Sequence, residues 1–424
     1  MTRSTTHARS RNRSALVAVA CGAVLVVYMV RLFGMGHAEV VRSDYLATQT
    51  AGVIVADGDA PRLYVDQVQG AVYNRLSGGD HSGDLLFNHA PLTAVMAAPI
   101  SGLDPVTGHL LWSLFQFLLV VIGCGFVAIV APWPRWTPRL LPLAATLVAL
   151  VGAGTLPMLT EGQNLGTITL GLSVAYAAWQ YDRLGAGAAA LIAGAAIAKP
   201  HLALGLVAFM VGWRDRRILG GALAGVVVVV AASTMAVGWT GSVGFVEALF
   251  RSNGIFPQWL FVGFTGLAVS WFGAGVVANA AAAMGSVVAI VVAGLLGDMV
   301  RRDRARLGPA LIGATLLSLL ASPHTFVHDL PLLAPMMVVA LAEASRRSRS
   351  AAWPDVLSVR VLIVWLLLVA AGGLDATVAL PAAVGRLTPM VLIAAAVVAV
   401  GVTLSKWGLH AGPTRMAATD LHAS

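Results

Sequence analysis

Apolar stretches separated by short polar or basic junctions recur along this chain from Ala15 to Leu404. About fourteen can be drawn, near 15–33, 91–103, 109–131, 140–158, 165–180, 184–198, 201–213, 218–237, 256–272, 275–298, 308–321, 330–343, 358–373 and 387–405. A helix that crosses a bilayer needs about 20 apolar residues with few charges. Lipid cannot satisfy open backbone groups, so such stretches must be helical. Several are shorter than a full span. Segments 186–198 and 202–212 meet at the polar break Lys199-Pro200-His201, while 91–103 and one segment within 256–272 fit the order of the basic junctions only by dipping in without crossing. Half-length elements are tolerated where protein buries them or they line a cavity. The pattern predicts an all-α integral membrane protein, a bundle of about 11–13 transmembrane helices. One polytopic domain over 15–405 lies between a basic tail at 1–14 and a second tail at 406–424, both expected in the cytoplasm.

Composition agrees with the pattern. Of 424 residues 58% are hydrophobic and 11% charged, against about 45–50% and 25% for a soluble domain. The formal net charge of +8 does not point to nucleic acid, because the arginines sit in clusters between apolar runs rather than along one face. They read as topology signals that belong in the cytoplasm. Arg3, Arg9, Arg11 and Arg13 precede the first apolar run and no convincing cleavage site follows it, so that run is expected to remain as an uncleaved first helix. Arg183, Arg214-Asp215-Arg216-Arg217, Arg301 to Arg306, Arg346 to Arg349 and the tail from Lys406 form the other clusters. Cys21 and Cys124 both lie inside apolar segments, so neither a disulfide framework nor a metal site is indicated.

With the clusters inside, three polar motifs, Glu161-Gly162-Gln163-Asn164, Lys199-Pro200-His201 and Ser322 to Asp329, converge on the outer face with the carboxylate Asp44 in the loop 34–88. The loop carries seven of the chain's 19 acidic residues. Within it, 43–55 is expected as a short helix capped by Ser43, and 62–76 as a second helix lying on the membrane with Leu63, Val65, Val68, Val72 and Leu76 against lipid. Asp57 to Pro61 reads as a turn and 77–84 as a linker.

The chain resembles the GT-C polyprenyl-phosphosugar glycosyltransferases, specifically glycosyltransferase family 87, the group that includes actinobacterial alpha-mannosyltransferases and arabinofuranosyltransferases. The residues that carry the resemblance are Asp44-Tyr45 soon after the first helix, Leu63-Tyr64-Val65-Asp66, Phe87-Asn88-His89-Ala90-Pro91-Leu92 with Ala98-Pro99, Gly162-Gln163-Asn164, Ala198-Lys199-Pro200 and Ser322-Pro323-His324, in the family's order. They span 15–341. Two positions depart from the pattern: Ser43 stands where the family often has a second acidic residue, and Asn88-His89-Ala90-Pro91 replaces the usual Tyr-Pro-Pro.

The resemblance implies an inverting membrane glycosyltransferase with a GT-C bundle and a catalytic loop at 34–88. It would move a hexose, in the first place mannose, from a polyprenyl-phosphate sugar to a glycolipid or lipoglycan acceptor at the outer face of the cytoplasmic membrane. It would need no cofactor beyond the lipid-linked donor. Arabinofuranose from a decaprenyl-phosphate donor is the nearest alternative.

Such transfer needs a base for the acceptor hydroxyl and donors for the departing phosphate. Asp44 suits the base; the plain alternative is a solvated loop aspartate. Lys199, one of two lysines in the chain, interrupts an apolar stretch and is expected to meet phosphate with His201 beside it, or else to snorkel from a helix end. His324 and His328 would face one way on a helix and donate to the phosphate or orient the acceptor. Asp329 is adjacent rather than one turn away, which argues against a metal site. Gln163 and Asn164 suit sugar hydroxyls or, more simply, a helix cap. Glu161 is a second candidate base. Arg42 and Arg62 suit the phosphate or lipid headgroups, and Tyr64 joins the substrate-binding set through its motif. A transporter or flippase would instead place polar groups at the bilayer midplane in two related halves, and no internal repeat is evident.

Overall fold

Every regular element is helical among the residues that the computed structural model describes, which are 3–79, 86–251, 256–348, 354–377 and 386–405. The expected linker at 77–84 lies for the most part outside the described residues, and the tail from Lys406 lies wholly outside them. In chain order the helices are α1 (Arg3–Phe33), α2 (His37–Val40), α3 (Tyr45–Ala56), α4 (Asp66–Ser77), α5 (Pro91–Ala97) and α6 (Pro105–Val130). Then come α7 (Leu141–Leu150), α8 (Thr155–Glu161), α9 (Gly166–Gln180), α10 (Leu184–Ile197), α11 (Leu204–Trp213) and α12 (Arg216–Arg251). The last six are α13 (Phe264–Phe272), α14 (Val276–Arg302), α15 (Leu307–Ala321), α16 (Ala334–Ser348), α17 (Val356–Thr377) and α18 (Leu387–Leu404).

Eight helices among the described residues are long and apolar enough to cross a membrane, nine if α7 and α8, bent by 54°, count as one span. That is fewer than the 11–13 expected. Four apolar pieces, α3, 91–100, α10 and 200–213, have the composition of a span without its length. The expected dips at 91–103 and within 256–272 fold as the seven residues of α5 with a 3-10 turn after it, and as the nine residues of α13.

Salt bridges mark one end of the bundle. Asp182, after α9, accepts from Arg217 at 3.1 Å and from Arg304 at 3.0 Å, and the Arg304 guanidinium sits 4.6 Å from the Trp213 ring centroid. Arg306 donates to the carbonyl of Thr403, near the end of α18, at 3.0 Å. Three of the basic clusters therefore meet at one basic end. From there α10 and α15 run to the opposite end, and α9 starts at that opposite end. The 14 residues of α10 separate the two ends by about 21 Å at 1.5 Å per residue.

The loop after α1 differs from expectation in three ways. α3 is not a surface helix: Tyr45 through Ile54 are all buried, and Gln49 anchors the helix by donating to Leu103 O at 2.8 Å and Ser101 O at 3.3 Å. Ser43 does not cap it: its hydroxyl and its backbone N–H both donate to the Val40 carbonyl, at 2.7 Å and 3.0 Å. The expected helix at 62–76 begins only at Asp66, and its apolar residues meet protein rather than lipid: Leu63, before α4, is fully buried, Val68 and Val72 pack beside Ala47 and Ile54, and Leu76 packs beside Leu46 and Tyr73. Only Val65 of that set stays exposed. A half-length helix with one apolar stripe is satisfied by whichever apolar surface is nearest, and α3 supplies it.

Candidate active site

Asp44 holds the N-cap position of α3 but makes no capping hydrogen bond, since its own backbone is helical (φ −62°, ψ −19°). An N-cap carboxylate normally accepts amides of the first turn. This one turns away, and Oδ2 accepts from Gln163 Nε2 across 119 residues of chain. The side chain is partly exposed, between a buried Ser43 and a buried Tyr45. Glu161 lies near enough for the two carboxyl groups to interact electrostatically.

Gln163 reaches Asp44 because of Gly162. That glycine ends α8 in the left-handed region (φ 63°, ψ 42°), and a Cβ there would lie 2.6 Å from Tyr45 Cβ. Trp112 Nε1 donates to the Gly162 carbonyl at 2.9 Å and Ser113 Oγ to Leu159 O at 2.8 Å, fixing the turn against α6. The helix-cap reading of Gln163 and Asn164 does not hold: Gln116 Oε1 accepts the Gly166 N–H at 2.9 Å and does that work. Asn164 Nδ2 instead donates to Thr93 Oγ1 at 2.7 Å, and Thr93 donates to Ile197 O at 2.8 Å. These two bonds tie α5 and the end of α10 to the same spot.

Lys199 follows α10 at a break in the helical path (φ −144°, ψ 89°). It does not snorkel. Its side chain is 7% exposed and Nζ donates to Asp329 Oδ1 at 2.7 Å, with Asp329 fully buried. His328 Nε2 stands 3.3 Å from the same Nζ. Asp329 Oδ2 accepts the Phe326 N–H at 2.9 Å, which holds the start of the 3-10 segment Val327–Leu333.

His324 and His328 do not share a helical face, because extended backbone at Phe326 (φ −105°, ψ 170°) separates them. His324 packs edge-on against Phe261 at 5.2 Å and His201 at 6.0 Å, while His328 stacks on Phe326 at 5.0 Å. Val262 N–H donates to Thr325 O at 2.7 Å, so residues 256–262 wall this side. Tyr64 is buried and donates to the His89 carbonyl at 2.6 Å, which makes it a support for His89. Arg62 gives its guanidinium to Asp59 at 3.1 Å on the exposed surface, and Arg42 is exposed.

Electrostatics link the pieces. Burial raises the Asp44 carboxyl above its ordinary range; the Lys199 ammonium and the Gln163 hydrogen bond pull against that, and Asp329 adds to it. His89 is pushed down to about 3, first by burial and then by Lys199 and His201. It is neutral at pH 7 and acts as a hydrogen-bond group rather than a cation. Three buried polar atoms of the cluster, Asn164 Oδ1, His201 Nε2 and Ser322 Oγ, have no hydrogen-bond partner among the described residues. Buried polar atoms are nearly always satisfied. These three are open to hydrogen bonds from a polar ligand.

Asp329, His89 and Thr93 are the members that the sequence motifs did not single out. A lysine at membrane depth calls for a nearby carboxylate, and that requirement alone points to Asp329. Chemically, the cluster offers a carboxylate with a raised pKa, an ammonium held by a carboxylate, and imidazole and amide groups around them, all at the end opposite the basic one.

The search of curated proteins found no match, and neither did the search of solved structures. A family model matches residues 87–323, and it is that of glycosyltransferase family 87. The match covers more than half of the chain and takes in Gln163, Asn164, Lys199 and His201. It ends one residue short of His324. The chain is an all-α membrane protein that belongs to glycosyltransferase family 87.

Proposed function

We propose that this membrane glycosyltransferase moves mannose from a polyprenyl phosphate to a glycolipid or lipoglycan hydroxyl, with inversion, at the cluster around Asp44. The basic end faces the cytoplasm by the positive-inside rule, so Asp44 faces the outer side of the cell membrane. In the step itself the acceptor oxygen attacks the anomeric carbon from the side opposite the phosphate. The carbon–oxygen bond to phosphate breaks with its electron pair leaving on the phosphate, and the hydroxyl proton passes to Asp44. No metal, redox partner or covalent enzyme intermediate enters this balance.

The observation that carries the reading is the Asp44 carboxylate itself. It is released from capping, aimed by Gln163, and pushed up by burial toward the range where a base works. The departing phosphate is served by Lys199, which has three N–H donors and spends one on Asp329. His201 and His324 complete the anion-facing side. His328 supports Lys199 rather than standing free. Asn164 Oδ1 remains for a sugar hydroxyl. Arg42 and Arg62, both exposed, serve lipid headgroups.

Purified protein in proteoliposomes, offered polyprenyl-phosphate mannose and decaprenyl-phosphate arabinofuranose with a glycolipid acceptor, tests the proposal. The expected result is consumption of the mannose donor with one polyprenyl phosphate released per sugar transferred. Use of the arabinose donor alone reassigns the sugar, and labelled lipid that changes leaflet without transfer replaces the enzyme by a flippase.

A further inference from the structure

Away from the Asp44 cluster, a cavity of about 450 Å³ opens between α15, α16, α17 and α18. Its walls are apolar for most of their length, with Ile312, Leu316, Trp365, Val391 and Val398 among them. It runs from Leu333, at the end of the 3-10 segment, along α16 to Arg347, a rise of about 21 Å. It is a slot rather than a pit.

The slot changes character at one end. Glu343, Arg347 and Arg360 line it there, in the final turns of α16 and the first of α17. Glu343 accepts from Arg346 at 2.7 Å, whereas Arg347 Nε lies 3.7 Å from the same oxygen, beyond hydrogen-bond length. That Nε is buried and has no hydrogen-bond partner among the described residues. Arg360, which also lines the slot, is exposed. Asp355, just before α17, accepts the Ser358 N–H at 2.8 Å. Among the charged residues that line the slot, two guanidiniums face one carboxylate, leaving one positive charge in excess at its mouth.

We infer that the slot binds one acyl chain of an anionic phospholipid whose phosphate sits at Arg347 and Arg360. Position separates this lipid from the donor and acceptor. α16 begins just after the Ser322–Asp329 turn and ends at the basic end, so the charged mouth and Asp44 lie at opposite ends of the bundle. A lipid-linked sugar seated here would hold its phosphate about a helix length from Asp44. The occupant therefore belongs to the other leaflet, and its binding is independent of the proposed transfer reaction.

The test uses delipidated full-length protein in detergent. Its thermal unfolding is followed with phosphatidylglycerol and with phosphatidylcholine of the same chains. Phosphatidylglycerol raises Tm and phosphatidylcholine raises it less. Arg347→Gln and Arg360→Gln each lower the preference for the anionic lipid by roughly fivefold. Ala340→Phe with Ala395→Phe, which fill the slot, remove the response to both lipids. Equal responses of the wild-type protein to the two lipids overturn the inference, as does an unchanged phosphatidylglycerol response in the filled variant. Should the filled variant not fold, phosphatidylglycerol with a photoactivatable chain decides: adducts within 333–347 are expected, and adducts only elsewhere, or full displacement by polyprenyl phosphate, contradict the site.

Discussion

Asp329 Oδ1 receives the Lys199 ammonium at 2.7 Å, joining two segments 130 residues apart with both side chains withdrawn from solvent. This pair stitches the break after α10 to the 3-10 segment before α16, and Asp44 feels both of its charges. A buried pair is costly to split, because the survivor keeps its charge without its partner.

Asp329→Ala and Lys199→Ala are each expected to destabilise the protein by about 3–5 kcal/mol, read as a lower Tm in detergent. Lys199→Met with Asp329→Leu, which removes both charges and keeps apolar bulk, recovers most of that loss while transfer stays abolished. A double variant no more stable than the singles would mean that the pair is not acting as a unit.

The Asp44 carboxyl is raised by burial above its unfolded value, and its deprotonated form is the base. Turnover is therefore expected to fall as pH drops through that raised pKa, with the acid limb above the ordinary aspartate range. Gln163 donates to the ionised form and lowers the pKa, so Gln163→Leu moves the acid limb to higher pH. The pH profile of kcat/KM decides the sign, and a limb that stays in place or moves down contradicts it. For stability the sign is opposite. A raised carboxyl pKa favours the folded state at low pH, and that contribution is lost as pH rises through the folded value.

Gly162 holds a left-handed turn against Tyr45. Gly162→Ala is expected to cost at least about 1–2 kcal/mol from backbone conformation alone, with the Tyr45 contact adding to it. Because the turn aims Gln163, kcat falls more than KM changes. Circular dichroism and steady-state kinetics on the same sample separate the two effects.

Much of this site is legible in the order of polar motifs between apolar runs. Arginine clusters fix which junctions share an end, and the Asp182, Arg217 and Arg304 bridges are the physical form of that rule. Asp44, Gln163, Lys199 and His324 follow from it. Asp329 escapes a reading by helical spacing because residues 327–333 are a 3-10 turn, where i and i+4 no longer share a face. His89 escapes because it stands in a departure from the motif. The burial of α3 is not written in its apolar residues, which suit lipid and protein equally. The count of spans is likewise blurred, since α3, 91–100, α10 and 200–213 have the composition of membrane helices without their length.

His201 Nε2 is buried without a hydrogen-bond partner among the described residues, and His324 packs on its ring at 6.0 Å. If these rings meet the phosphate, His201→Phe keeps the packing and loses the donor. The expected result is a loss of about tenfold or more in kcat/KM at unchanged Tm, since a hydrogen bond to a charged group is worth about 1.5–3 kcal/mol. Wild-type kinetics in this variant would leave the ring a packing role only.

The most direct measurement is single-turnover transfer from labelled polyprenyl-phosphate mannose by the wild-type protein and by Asp44→Asn, both reconstituted and matched for Tm. Loss of about 10² to 10⁴-fold in the chemical rate, with donor binding retained, is the predicted result. Transfer by Asp44→Asn at the wild-type rate would contradict the assignment of Asp44 as the base.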